Sequence, residues 1–167
     1  MLNCFDFFAG LGFFSIISPG IDFVAGSVNG WNLNDQDVMP HAYKGGTQAM
    51  LLKSQIEAMP EGGVFAMVAP PNPYRCPPGP YERVSMVAHV LKNTNPSAKI
   101  IIADPKPKFS KMGLFTSGWE QHYSGMIEWI GPDFGGGNVT VTGRLDGRDI
   151  LISSERAGFD RNRVRGF

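Results

Sequence analysis

The sequence predicts an α/β fold: a Rossmann-like, three-layer parallel sheet followed by a β-hairpin. Three observations predict it. The runs Val64–Ala69 and Lys99–Ala103 are short, apolar and sharply bounded, the first by Gly62-Gly63 and Pro70-Pro71, the second by Asn93–Pro96 and Asp104. Such runs read as strands buried on both faces of a parallel sheet. Between them, Val84, Val87, Ala88 and Leu91 recur at helical spacing. The alternation strand, helix, strand, helix, strand then extends over residues 63–130, and two crossovers of this kind imply parallel strands.

The elements follow in order. Met1 to Ile17 is apolar and Phe-rich but is interrupted by Asp6. A membrane span needs roughly 20 apolar residues in a row, and a secretory signal needs a basic start and a small-residue cleavage site. A buried strand is the expected reading. Ser15–Ile17 and Ile21–Val24 form a strand and turn around Ser18-Pro19-Gly20, and residues 25–45 are polar and loop-like. Thr47 is placed as the N-cap of a first helix, with Ala49, Leu52, Ile56 and Met59 on one face; Pro60 and Gly62-Gly63 end it. Pro80 suits the first turn of the next helix, where its missing N–H costs nothing. Glu82 and Lys92 stand at the ends the helix dipole favours. Residues 108–124 predict a weaker helix, interrupted by Gly113 and Gly118, and Met126–Ile130 a third strand. Val139–Val141 and Ile150–Ile152 predict a strand pair joined at Asp146-Gly147. The arginine-bearing tail from Arg156 reads as solvated.

Composition narrows the function. The chain has 167 residues, 43% of them hydrophobic, and no net charge. A packed core is feasible, and nothing calls for nucleic acid or an anionic membrane. Cys4 and Cys76 are the two cysteines, too few for a disulfide scaffold or a four-cysteine zinc site. His41, His89 and His122 have no ligand-like spacing, so no metal is expected.

Chemistry is expected beyond the carboxyl ends of the strands, where parallel sheets bind ligands. A nucleotide-binding domain would place a glycine-rich loop after the first strand, its N–H groups meeting a pyrophosphate. Here that loop is Ala69-Pro70-Pro71-Asn72-Pro73-Tyr74-Arg75-Cys76-Pro77-Pro78-Gly79-Pro80. Prolines donate no N–H, and Tyr74 and Arg75 are bulky. Asp104 stands where a dinucleotide-binding acid would grip ribose, but without the glycine loop. What the loop offers is the thiol of Cys76, four residues before the expected helix and beside Arg75. A helix N-terminus and a guanidinium both favour the nucleophilic thiolate. An inert cysteine packed in a turn fits the spacing equally well.

Val68-Ala69-Pro70-Pro71 followed by Tyr74-Arg75-Cys76-Pro77-Pro78-Gly79-Pro80-Tyr81-Glu82-Arg83 closely resembles the flavoprotein subunit of flavocytochrome c sulfide dehydrogenase. More distantly it is similar to sulfide:quinone oxidoreductases. The likeness includes Ser18-Pro19-Gly20-Ile21, Pro40–Gln48, Lys99–Ile102, Phe109-Ser110-Lys111, Gly118-Trp119-Glu120 and Ile127-Glu128-Trp129, and covers roughly residues 15–142.

The resemblance implies a glutathione-reductase-type flavoprotein: an FAD domain, an inserted NADH-like domain that does not use NAD, and a C-terminal domain. Residues 1–14 would be an unmatched apolar N-terminus, 15–45 a remnant of the FAD domain and a linker, 46–142 the NAD(P)-binding-like Rossmann domain, and 143–167 an unmatched tail. Cys76 would be catalytic, as half of a redox-active disulfide beside the flavin, and Ser18, Pro19 and Gly20 would approach the flavin. Sulfide would be the substrate, a persulfide the intermediate, FAD the cofactor and a haem-bearing cytochrome c subunit the partner, in the periplasm. The family's glycine-rich FAD motif and the partner cysteine do not occur here, so the expectation is a piece of the enzyme, with Cys4 not paired to Cys76. The competing expectations are a non-catalytic truncated domain that binds only a partner chain, a sulfide:quinone oxidoreductase-like flavoprotein, and a nucleotide-binding domain with an unusual loop.

Overall fold

A computed structural model of the chain describes residues 31–41 and 45–134, together with the backbone of four outer strands, Cys4–Ala9, Gly12–Ile17, Val139–Asp146 and Asp149–Ser154. The Ser18-Pro19-Gly20 turn, the Asp146-Gly147 turn beyond Asp146 and the tail from Arg156 lie outside the described residues.

Strands β3 (Val64–Val68), β4 (Lys99–Ala103) and β5 (Ile127–Ile130) run parallel, and helices α2 (Gly79–Thr94) and α3 (Met112–Tyr123) connect them. The α/β expectation therefore holds as a parallel sheet with helices packed on it. Alternation along each strand sorts the side chains by face. Phe65, Met67, Ile100, Ile102, Ile127 and Trp129 join the core shared with the helices. On the other face Ile101 and Ala103 are buried while Glu128 is exposed. β4, the middle of the three parallel strands joined by α2 and α3, is thus buried on both faces as expected, whereas β3 is only partly covered outside Phe65.

Helix α2 buries Pro80 and Tyr81 as well as the expected Val84, Val87, Ala88 and Leu91. Its far end is stapled by Asn95, which accepts the Gly62 N–H at 3.1 Å and donates to the Pro60 carbonyl at 2.8 Å. Ile102 sits at the centre of this packing with no solvent exposure. Ile102→Ala is expected to cost about 2–5 kcal/mol, because the void cannot collapse between sheet and helix; a urea denaturation midpoint measures it.

The structure corrects four local expectations. Gly46, at φ 88°, is the N-cap of α1 (Thr47–Glu57), and Thr47 is its first helical residue. The helix turns Gln48 inward and leaves Ala49 exposed, because the Gln48 amide reaches the Gln36 carbonyl at 3.1 Å and receives the His41 N–H at 3.2 Å. Those bonds, and one from Gln55 to the Val38 carbonyl at 2.7 Å, dock residues 31–41 on α1. Helix α3 runs unbroken through Gly113 and Gly118. Each glycine weakens a helix by about 1 kcal/mol relative to Ala, and aromatic packing outweighs this: Phe115 and Trp119 contact Phe109, and the Trp119 indole donates to Ser85 Oγ at 2.8 Å. Finally, the apolar start is two antiparallel strands rather than one, β1 (Cys4–Ala9) and β2 (Gly12–Ile17), with Ala9 opposite Gly12.

Strands β6 (Val139–Asp146) and β7 (Asp149–Ser154) form the expected antiparallel pair, longer than the sequence signalled. β7 joins β3 in parallel, giving the order β5-β4-β3-β7-β6. Among the described residues, no helix is long and apolar enough to cross a membrane.

Candidate thiol site

At the carboxyl edge of the sheet the chain leaves β3 at Ala69, whose N–H donates to the Ala103 carbonyl at 2.9 Å. Asp104 closes β4 in the same way, donating its N–H to the Ile130 carbonyl at 2.9 Å. Residues 70–78 cross this edge before α2 begins, one residue earlier than the sequence suggested.

Cys76 lies exposed on this loop. Its backbone is left-handed, φ 60°, a conformation that strains a non-glycine residue by about 1–3 kcal/mol and persists only where the surroundings over-determine it. Here the Gly79 N–H donates to the Cys76 carbonyl at 2.8 Å. The sulfur rests against the same glycine: a Cβ on Gly79 would stand 3.2 Å from Sγ. The absent side chain therefore leaves room for the thiol at the first turn of α2. Arg75 beside it is exposed.

The groups beneath the loop are where sequence reasoning fell short. Asp104 is fully buried. Its Oδ2 accepts the Tyr81 hydroxyl at 2.6 Å and the Trp129 indole N–H at 2.9 Å. Its Oδ1 accepts the Lys106 backbone N–H at 3.0 Å and pairs with Lys106 Nζ at 2.7 Å. A carboxylate with four donors has no capacity left for a ribose, so the structure corrects the dinucleotide reading of Asp104. The run Asp104-Pro105-Lys106 carried a usable signal, since Asp often accepts the N–H two residues on. Tyr81 and Trp129 carried none.

Lys106 is itself buried, and its ammonium also donates to the Pro70 carbonyl at 2.7 Å. It lies 4.9 Å from the centroid of the Tyr74 ring, whose hydroxyl donates to the Pro77 carbonyl at 2.6 Å. One ammonium thus reaches the start of the thiol loop and the ring that spans its end.

Tyr81 stacks on Phe109, ring centroids 3.6 Å apart. Burial, then the hydrogen bond to Asp104 and that carboxylate's charge, push its hydroxyl far above the ordinary 10.0. The neutral phenol is therefore favoured by folding. Stability from this group is complete below pH 10 and declines as pH rises beyond it, by about 1.4 kcal/mol per pH unit, because only the unfolded chain releases the proton. Tyr81→Phe is expected to show a shallower loss of stability than the parent above about pH 10; urea titrations at stepped pH measure the difference.

The loop lacks N–H donors at its prolines and the strand-end acid is occupied, so the described residues offer no cradle for the pyrophosphate of FAD or NAD at this edge. What the fold and site define is a Rossmann-like α/β domain with an exposed thiol on the loop that follows its first parallel strand. Residues 49–154 match the family model of the central region of the flavoprotein chain of sulfide dehydrogenase (flavocytochrome c). The chain belongs to this family. The matched span takes in the sheet from β3 onward, including β6 and β7.

Proposed function

We propose that the chain serves in the flavin-dependent oxidation of sulfide, with Cys76 as the residue that takes up sulfur. The observation that carries this reading is the exposed thiol held at the carboxyl edge of the sheet, within the span that matches a sulfide dehydrogenase flavoprotein. In the oxidised state Cys76 is disulfide-bonded to a cysteine elsewhere in the flavoprotein. Hydrosulfide attacks the Cys76 sulfur, a new S–S bond forms, and the old one breaks. The partner cysteine leaves as thiolate with the electron pair, and Cys76 is left as a persulfide. FAD, held by other parts of the flavoprotein with Ser18, Pro19 and Gly20 in its approach, supplies the electron acceptor that connects this chemistry to a cytochrome c subunit in the periplasm.

The test uses the chain with an inorganic polysulfide, followed by thiol blocking and peptide mapping. Cys76 attacks one sulfur of the polysulfide, an S–S bond of the polysulfide breaks, and the shortened chain leaves. A persulfide is expected at Cys76 ahead of Cys4. Reaction at Cys4 with Cys76 unmodified would overturn the reading and favour a domain that only binds a partner chain.

A further inference from the structure

We propose that Lys106 and Asp104 are positioning residues for Cys76, a buried ionic clamp that sets the loop carrying the thiol. The proposal rests on the functional reading of Cys76 above and adds to it what holds that sulfur in place.

The geometry is specific. Lys106 Nζ bridges the Asp104 carboxylate and the Pro70 carbonyl, both at 2.7 Å, and lies beneath the Tyr74 ring. Tyr74 in turn holds the Pro77 carbonyl. The same Asp104 anchors the first turn of α2 through Tyr81, and that turn receives the Cys76 carbonyl through Gly79. The loop is thus tied before Cys76, over it and after it, and every tie leads back to one carboxylate–ammonium pair. Loop prolines have no N–H of their own, so beside the Gly79 backbone bond it is side chains acting on carbonyls that restrain the loop. A buried pair is a weak way to stabilise a fold, and in some proteins such groups serve instead to specify one geometry, the role assigned to this pair. The occupied carboxylate also explains how the position of a ribose-binding acid was turned to loop anchoring.

The test is Lys106→Met, close in length but without charge, compared with the parent chain and with Lys106→Arg. Two rates are read on folded protein: tryptic cleavage after Arg75, and persulfide formation at Cys76 from polysulfide. Pro107 follows Lys106, so the substitution removes no useful tryptic site. In Lys106→Met, cleavage after Arg75 is expected to rise as the loop opens more often, and persulfide formation to fall, each by roughly tenfold, less than the roughly hundredfold that a misplacement of about 1 Å can cost a reaction. Lys106→Arg should restore both, since a guanidinium can reach the same two oxygens. If Lys106→Met does not fold, Tyr74→Phe replaces it, with the same two changes expected at a smaller, severalfold scale. Unchanged rates in a folded variant, or no rescue by Lys106→Arg, would overturn the clamp. A parent Cys76 that takes no sulfur would sink the functional reading alone, and the cleavage rates would still decide the clamp.

Discussion

Asp104→Ala is expected to be the most damaging single substitution in the described part of the chain. Removing one partner of a buried ion pair costs about 3–5 kcal/mol, because the other charge stays buried and unpaired. Here that charge is Lys106, only 5% exposed. The loss does not end there, since the Tyr81 hydroxyl and the Trp129 indole lose their shared acceptor. Each buried donor left unsatisfied adds about 1–3 kcal/mol. Single domains are stable by only about 5–15 kcal/mol, so the variant should be largely unfolded or near its midpoint at room temperature. A collapsed urea midpoint with an unchanged slope would be the direct reading. Asp104→Asn, which keeps an acceptor for Tyr81 and Trp129 but removes the charge facing Lys106, should fall between the two. A loss below about 1 kcal/mol in Asp104→Ala would mean the network contributes little, against the cost expected of a buried unpaired charge.

Cys76→Ser is expected to separate chemistry from stability completely. The side chain is exposed and touches mainly the open space left by Gly79. Surface changes of this kind stay within about 0.5 kcal/mol. The left-handed backbone at this position is no harder for Ser than for Cys. Yet a hydroxyl cannot form an S–S bond, so sulfur uptake at this position should vanish rather than slow. The polysulfide mapping experiment should find Cys4 as the remaining reactive thiol, with the thermal transition unmoved. Sulfur uptake that continues at the parent rate would place the chemistry elsewhere.

Much of the fold was legible because its signals are local. β3 is an unbroken apolar run with Gly62-Gly63 and Pro70-Pro71 at its borders, β4 centres on three consecutive isoleucines, and α2 repeats its apolar face every three or four residues. A chain segment can report such features by itself, because an apolar run or a helical repeat needs no knowledge of the partner, although the expected two-sided burial holds for β4 and only partly for β3. The missed features depend on partners. Ala49 is an inward residue by spacing, but Gln48 finds a backbone acceptor in Gln36 and a backbone donor in His41 and takes the inward place. α3 reads as interrupted at Gly113 and Gly118, but the mutual packing of Phe109, Phe115 and Trp119 carries the helix through both glycines. The β6–β7 pair was visible as a hairpin, whereas its attachment beside β3 was not.

The candidate site divides in the same way. By itself the sequence determined that a thiol stands on a proline-rich loop after the first parallel strand, because Cys76 and its neighbours are contiguous and the loss of phosphate-binding glycines is a statement about composition. The tertiary structure alone decided what that loop rests on. Asp104, Tyr81, Lys106 and Trp129 are polar groups from two strand ends and a helix, and apart from the spacing of Asp104 and Lys106 nothing in their separate surroundings says that they meet. They meet because winding β3, β4 and β5 in parallel brings their carboxyl ends to one edge, where buried polar groups must satisfy one another. An acid at the position where a ribose would be gripped, but without the glycine loop, thereby serves as the anchor of the thiol loop.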